Sequence, residues 1–170
     1  MMPANRKTRK PYIARSKRKD ITSFLFEGNA PLDNSTRTAI LTAVHAAALS
    51  ISRGENVKSA WHTVVNALNI AQILCEEAGN GKVGLEVVYA AQNAMIDAAE
   101  RFHATGRLVF GAGGLPAMNS GIDLFEQLIE TVTKLQYTRA AGESVRRNES
   151  GKVVMVRNSG GTKRFELRAA

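Results

Sequence analysis

The sequence predicts a mainly α protein: an antiparallel four-helix bundle preceded by a disordered basic arm and followed by a β-hairpin. Three observations lead there. Apolar side chains recur at intervals of three and four through four long segments between residues 36 and 141. That period stops after residue 141, where β-branched and aromatic residues flank an Asn-Ser-Gly-Gly turn signal. Residues 1–22 hold too few apolar side chains to offset the entropy of ordering them. The expected organisation is an arm over 1–22, a bundle over 23–141 and a basic hairpin or tail over 142–170.

Each element has its own signal. The arm, MMPANRKTRKPYIARSKRKDIT, contains Pro3 and Pro11 and no apolar period. The next stretch, SFLFEGNAPL, supplies Phe24, Leu25 and Phe26, which are expected to pin the arm onto the domain. A first helix is expected over 36–52, with Ile40, Val44, Ala47, Ala48 and Ile51 on one stripe. Asn34 or Ser35 can cap its start, and Gly54 suits a left-handed stop. A second helix over 57–78, capped by Asn56 and ended by Gly79, carries the broadest apolar set, including Trp61, Val64, Leu68, Ala71, Leu74 and Cys75. A helix so apolar belongs at the centre.

A third helix over 83–104 shows Leu85, Val88, Gln92, Met95, Ala99 and Phe102 on one face, and Thr105-Gly106 ends it. A fourth over 115–141 presents Leu115, Met118, Ile122, Phe125, Ile129 and Val132, with Pro116 tolerated in the first turn. Ser120-x-x-Asp123 offers a later start as a capping box. Links at 53–56 and 79–82 are short enough to make successive helices antiparallel neighbours. The longer GRLVFGAGG link (106–114) is expected to lay Leu108, Val109 and Phe110 across the bundle as an extended strap. Beyond it, KVVMVR (152–157) and TKRFELR (162–168) read as hairpin strands. Residues 144–147 either pair as a third strand or continue the fourth helix, and the hairpin is the preferred reading.

Charge is sorted along this order. Residues 1–20 carry eight Lys or Arg against Asp20, a net +7; residues 21–138 carry seven basic and eleven acidic side chains, −4; residues 139–170 carry eight and three, +5. A mildly acidic middle between two basic ends points to a polyanionic partner. A run of Lys and Arg gains free energy on a nucleic-acid backbone by releasing condensed counterions. The residues expected to do so are Arg6, Lys7, Arg9, Lys10, Arg15, Lys17, Arg18 and Lys19, with Tyr12 placed to stack on a base. In the carboxy-terminal part they are Arg146, Arg147, Lys152, Arg157, Lys163, Arg164 and Arg168. Alternation puts Arg164, Glu166 and Arg168 on one side of the last strand, with Phe165 and Leu167 opposite, and a β-ribbon can enter a major groove. Two plainer roles compete: a solubility tail, or a basic strand that discourages edge-to-edge pairing.

Catalytic and metal chemistry find little support. His45, His62 and His103 stand singly, without a second ligand at metal-site spacing. Cys75 lies in an apolar stripe and, as the chain's one cysteine, forms no internal disulfide. Glu76-Glu77 ends a helix and is expected to face solvent. Gly-Ala-Gly-Gly at 111–114 lacks the Lys-Ser/Thr of a phosphate-binding P-loop. No cofactor and no enzymatic activity are expected. No apolar run has membrane-spanning length, and the basic start has no apolar stretch behind it, so a cytoplasmic protein without membrane contact is expected.

Four stretches carry a family resemblance: NALNIAQIL (66–74), AAQNAM (90–95), RFHATGRLVF (101–110) and AMNSGIDLFEQLIETVT (117–133). Together they resemble a group of small helical proteins of bacterial phages and mobile elements, which also begin with a short basic arm and are often labelled Fis-family regulators. The resemblance covers about half the chain and implies a helical fold and a mobile-element origin. It brings no binding residues with it, because a helix-turn-helix needs two helices about a tight turn near the carboxy end, where this chain reads as a hairpin. The leading expectation is a non-enzymatic accessory or regulatory protein that grips nucleic acid, DNA or RNA, through its basic ends. The alternatives are a protein–protein module aimed at a host complex, such as an anti-defence inhibitor, and a virion assembly protein that forms homo-oligomers through its broad apolar faces.

Overall fold

The computed structural model describes residues 28–78 and 82–149. Within them the chain forms five helices of 16 or more residues: α1 (Asn34–Arg53), α2 (Val57–Glu77), α3 (Lys82–Thr105), α4 (Gly114–Thr131) and α5 (Lys134–Glu149). They pack as an all-α bundle, and the described residues contain no strand. The expected strands at 152–157 and 162–168 lie outside the described residues.

Two boundaries depart from expectation. The segment 115–141 is two helices, because the chain turns extended at Val132 (φ −80°, ψ 149°). Thr133 and Gln136 then form a capping box that starts α5: Gln136 Oε1 accepts from the Thr133 N–H at 2.9 Å, and Thr133 Oγ1 accepts from the Gln136 N–H at 3.2 Å. The β-branched run Thr131-Val132-Thr133 favours that extended turn. Residues 142–149 are also helical, so the expected division at 141 falls inside α5, and the hairpin preferred for 144–147 gives way to helix. This part of α5 is held on α2 by the Ser144–Asn66 hydrogen bond and the Arg147–Glu76 ion pair.

Caps follow elementary chemistry with two shifts. Asp33, rather than Asn34 or Ser35, caps α1: its carboxylate accepts from the Thr36 N–H at 2.9 Å and from the Ser35 and Thr36 hydroxyls at 2.6 Å each. Those hydrogen bonds hold the Asp33 carboxyl far below the ordinary carboxylate range. Gly54 ends α1 in the left-handed region (φ 73°) with paired bonds from Gly54 and Glu55 N–H to Ile51 and Ser50 carbonyls, a Schellman stop. Asn56 precedes α2 but makes no side-chain cap. The expected terminator Gly79 lies outside the described residues.

The core sits around α2, which contacts each of the other four helices. Every residue from 67 to 75 is buried there, and Trp61, 1% exposed, donates its indole N–H to the Met95 carbonyl of α3 at 3.0 Å. α4 crosses α3 so closely that a Cβ on Gly121 would lie 2.5 Å from the Ala91 Cβ. The α3–α4 link behaves as a strap: Leu108 and Phe110 pack on the core while Val109 points outward. At the other end of the bundle, residues before α1 are tied to the α4–α5 corner. Pro31 bridges Thr133, and the Lys134 N–H donates to the Ala30 carbonyl at 2.9 Å.

Candidate nucleic-acid interface

Of the residues expected to meet phosphate, Arg146 and Arg147 are among those described. Arg6, Lys7, Arg9, Lys10, Tyr12, Arg15, Lys17, Arg18, Lys19, Lys152, Arg157, Lys163, Arg164 and Arg168 lie outside them. The described part nonetheless defines the frame for the rest. It carries ten basic and twelve acidic side chains, a net −2, whereas the remaining residues carry thirteen and three, a net +10. The net positive charge of this protein belongs to the residues outside the described helical body.

Arg146 and Arg147 sit in the last turn of α5, where cations complement the helix dipole. Their surroundings differ. Arg147 is part-buried and joins two helices, donating to Glu76 of α2 at 2.8 Å and to Glu143 of its own helix at 2.7 Å. Arg146 is 65% exposed and grips the same Glu143 carboxylate with two parallel bonds of 2.6 and 2.7 Å. Hydrogen bonds from Arg146 and Arg147 pull the Glu143 carboxyl down to about 2. Farther back along α5, Arg139 approaches Glu77 at 3.8 Å. Glu76 and Glu77, expected to face solvent, are exposed and are also ion-paired to α5.

The cluster continues inward. Gln72 donates to Glu76 at 2.8 Å, and Gln92 of α3 donates to both Gln72 and Asn69 at 3.0 Å. Gln72 and Gln92 are 2% and 4% exposed, and the Gln92 Oε1 has no hydrogen-bond partner. A line of polar contacts therefore runs from the interior of the bundle, through α2, to the outer helix. The apolar stripe assigned to α2 from its sequence does not include this line. The signal that marks it is the spacing of Asn69, Gln72 and Glu76 at three and four, with Gln92 on the core face of α3.

Away from this cluster, a cleft of about 500 Å³ opens over α2, walled by Ile40 and Val44 of α1 and Tyr137 of α5. Its floor shows Ser59, His62 and Asn66, and among the described residues no Lys, Arg, Asp or Glu lines it. Burial pushes the Tyr137 phenol up from its ordinary value. His45 pairs with Glu126 at 3.2 Å, and His62 and His103 meet Trp61 and Phe102 edge-on. Cys75 is buried, and that burial raises its thiol pKa, with Glu76 adding to the rise. Among the described residues no three His, Cys, Asp or Glu side chains converge as metal ligands, and no helix is long and apolar enough to cross a membrane. The chain matches no protein-family model, no curated protein and no solved structure.

Proposed function

We propose that this protein is a non-enzymatic nucleic-acid-associated accessory protein of a phage or mobile element, whose helical body presents two basic segments to a phosphate backbone. The carrying observation is the partition of charge: −2 on the described body and +10 outside it. A body that is itself slightly acidic does not attract a polyanion, so attraction must come from its flanks. Arg147 is committed to holding α5 on α2, while Arg146 keeps most of its surface in solvent. The mobile-element assignment rests on the resemblance of the four helical stretches.

Binding to labelled duplex DNA and to duplex RNA, measured from low to moderate salt, tests this reading. Neutralising six to eight phosphates gives a log–log salt slope of roughly −5 to −7. Deleting residues 1–20 removes a net +7 and is expected to flatten the slope and weaken binding at every salt. Absence of binding at low salt, or indifference to the deletion, would refute it.

A second reading, a protein–protein module directed at a host complex, draws on the uncharged cleft over α2. Capture from a nuclease-treated bacterial lysate separates the two. One stoichiometric protein retained after nuclease supports the module; loss of every partner supports nucleic acid.

A further inference from the structure

We infer that α5 is a salt-labile latch, which lifts from α2 about the α4–α5 corner while the other four helices stay packed. This holds whether or not the chain binds nucleic acid, because every residue involved belongs to α2, α5 or their immediate surroundings in the bundle. α5 is the helix least embedded in the body. α1, α3 and α4 each pack on two or more helices, whereas the one substantial neighbour of α5 is α2. The residues that α5 buries are Ala140 and Ser144, both small. α4, two residues longer, buries Met118, Ile122, Phe125 and Ile129. Tyr137 and Ala141 add partial contact with the core.

Clefts accompany α5 along its seam with the body. The cleft of about 500 Å³ lies between Tyr137 and the α2 residues Asn66, Ala67 and Ile70. A second, of about 410 Å³, lies between Arg139, Gly142 and Glu143 on α5 and Ile73, Glu76 and Glu77 on α2. A third, of about 530 Å³, has Gln136 and Arg139 on its α5 wall and Leu74 and Leu128 facing them. Side chains that border a gap forfeit the close contacts from which dispersion energy comes. Apolar packing therefore holds α5 less firmly than it holds the other helices.

Polar contacts supply much of the attachment. Arg147 reaches Glu76 at 2.8 Å, Arg139 approaches Glu77 at 3.8 Å, and the Ser144 hydroxyl donates to Asn66 at 3.3 Å. The Arg139 and Glu77 side chains are 67% and 39% exposed, so mobile ions screen their attraction, and the Arg147–Glu76 pair is also partly in water. The pairs of Glu143 with Arg146 and Arg147 are internal to α5 and travel with it. Its two ends are held differently. The start is fixed by the Lys134 N–H bond to the Ala30 carbonyl and by the Pro31–Thr133 bridge, and extended backbone at Val132 interrupts the helix before it. The far end depends on Arg147. Opening therefore begins there and works back to the corner, uncovering Ile70 and Ile73 of α2, which are 3% and 2% exposed with α5 in place.

Amide hydrogen exchange of the full-length chain, resolved by residue in NMR, tests the latch. A helix of 16 residues is marginal by itself in water, so α5 amides exchange whenever it lifts. Raising sodium chloride from about 0.05 M to about 1 M shortens the Debye length to about 3 Å. Amides of residues 139–148 are expected to exchange several-fold faster at the higher salt, while those of residues 67–75 do not accelerate. Arg147→Met keeps an apolar stem and removes the charge; it should give the fast α5 rate already at low salt and lose most of the salt response. Arg53→Met, in the last turn of α1, should leave α5 exchange at the parent rate. A common rate for α5 and α2 amides at both salts overturns the proposal, because opening is then global. Separate opening of α5 that ignores salt overturns the ion pairs as its latch. The salt series on the parent chain decides both points even where Arg147→Met fails to fold.

Discussion

Gln92 reaches across from α3 with one amide nitrogen and satisfies two acceptors of α2, the side-chain oxygens of Asn69 and Gln72. Replacing it by Leu removes both donated bonds while leaving the acceptors buried, so Gln92→Leu is expected to destabilise the fold by about 1–3 kcal/mol in urea unfolding. In a double-mutant cycle with Gln72→Leu the coupling should exceed about 0.5 kcal/mol, since the two side chains share one hydrogen bond. At the outer end of the same line, Arg146 and Arg147 hold the Glu143 carboxyl at about 2, below its ordinary value of 4.5. A depressed carboxylate pKa stabilises the fold above the ordinary value, and that contribution is lost as pH falls through about 4.5 towards 2. Carboxyl titration by NMR should place the Glu143 midpoint near 2 in the parent chain and closer to 4.5 in an Arg146→Ala/Arg147→Ala variant.

Among elements, the corner between α4 and α5 sets how α5 is displayed. Its extended Val132, the Thr133–Gln136 capping box and the bridge to Pro31 act together to turn the chain. Thr133→Ala removes one half of the box and is expected to cost about 0.5–2 kcal/mol, read by thermal or urea unfolding. The α3–α4 crossing is less forgiving. At Gly121 a methyl group would lie 2.5 Å from Ala91 Cβ and 2.8 Å from Leu68 Cδ2, distances at which the helices must separate. Gly121→Ala should therefore destabilise by about 1–3 kcal/mol, despite the better helix propensity of Ala. Ser in place of Gly142, with open space around it, should be close to neutral in the same assay.

For the molecule as a whole, the described core and the net positive charge occupy different parts of the chain. Among the described residues the apolar interior is centred on residues 67–75 of α2, whose amides should exchange slowest with solvent. The net positive charge lies in the segments outside the described residues, +10 against −2 within them. Deleting residues 1–20 lowers the net charge from +8 to +1 and leaves every described core residue in place. The unfolding midpoint should stay unchanged by calorimetry while polyanion affinity falls, which separates a binding segment from a structural one.

Periodicity alone makes α1, α2 and α3 legible in the sequence, because a helix that buries one face must repeat its apolar residues every three to four positions. Gly54 and Gly106 announce two of the stops, and both adopt the left-handed conformation that glycine accepts most readily. The break at Val132 is hidden because an apolar period continues across it; the Thr133-x-x-Gln136 box is visible but competes with that period. Residues 144–147 are ambiguous for a related reason: a polar stretch becomes helix or strand according to what it packs against, and α2 is what α5 packs against. The candidate interface divides in the same way. Charge sorting, a property of the chain, is read from residue order alone. Which arginine bridges to α2 and which remains largely in solvent are consequences of helices crossing, since they depend on residues far apart in sequence meeting across a few ångströms.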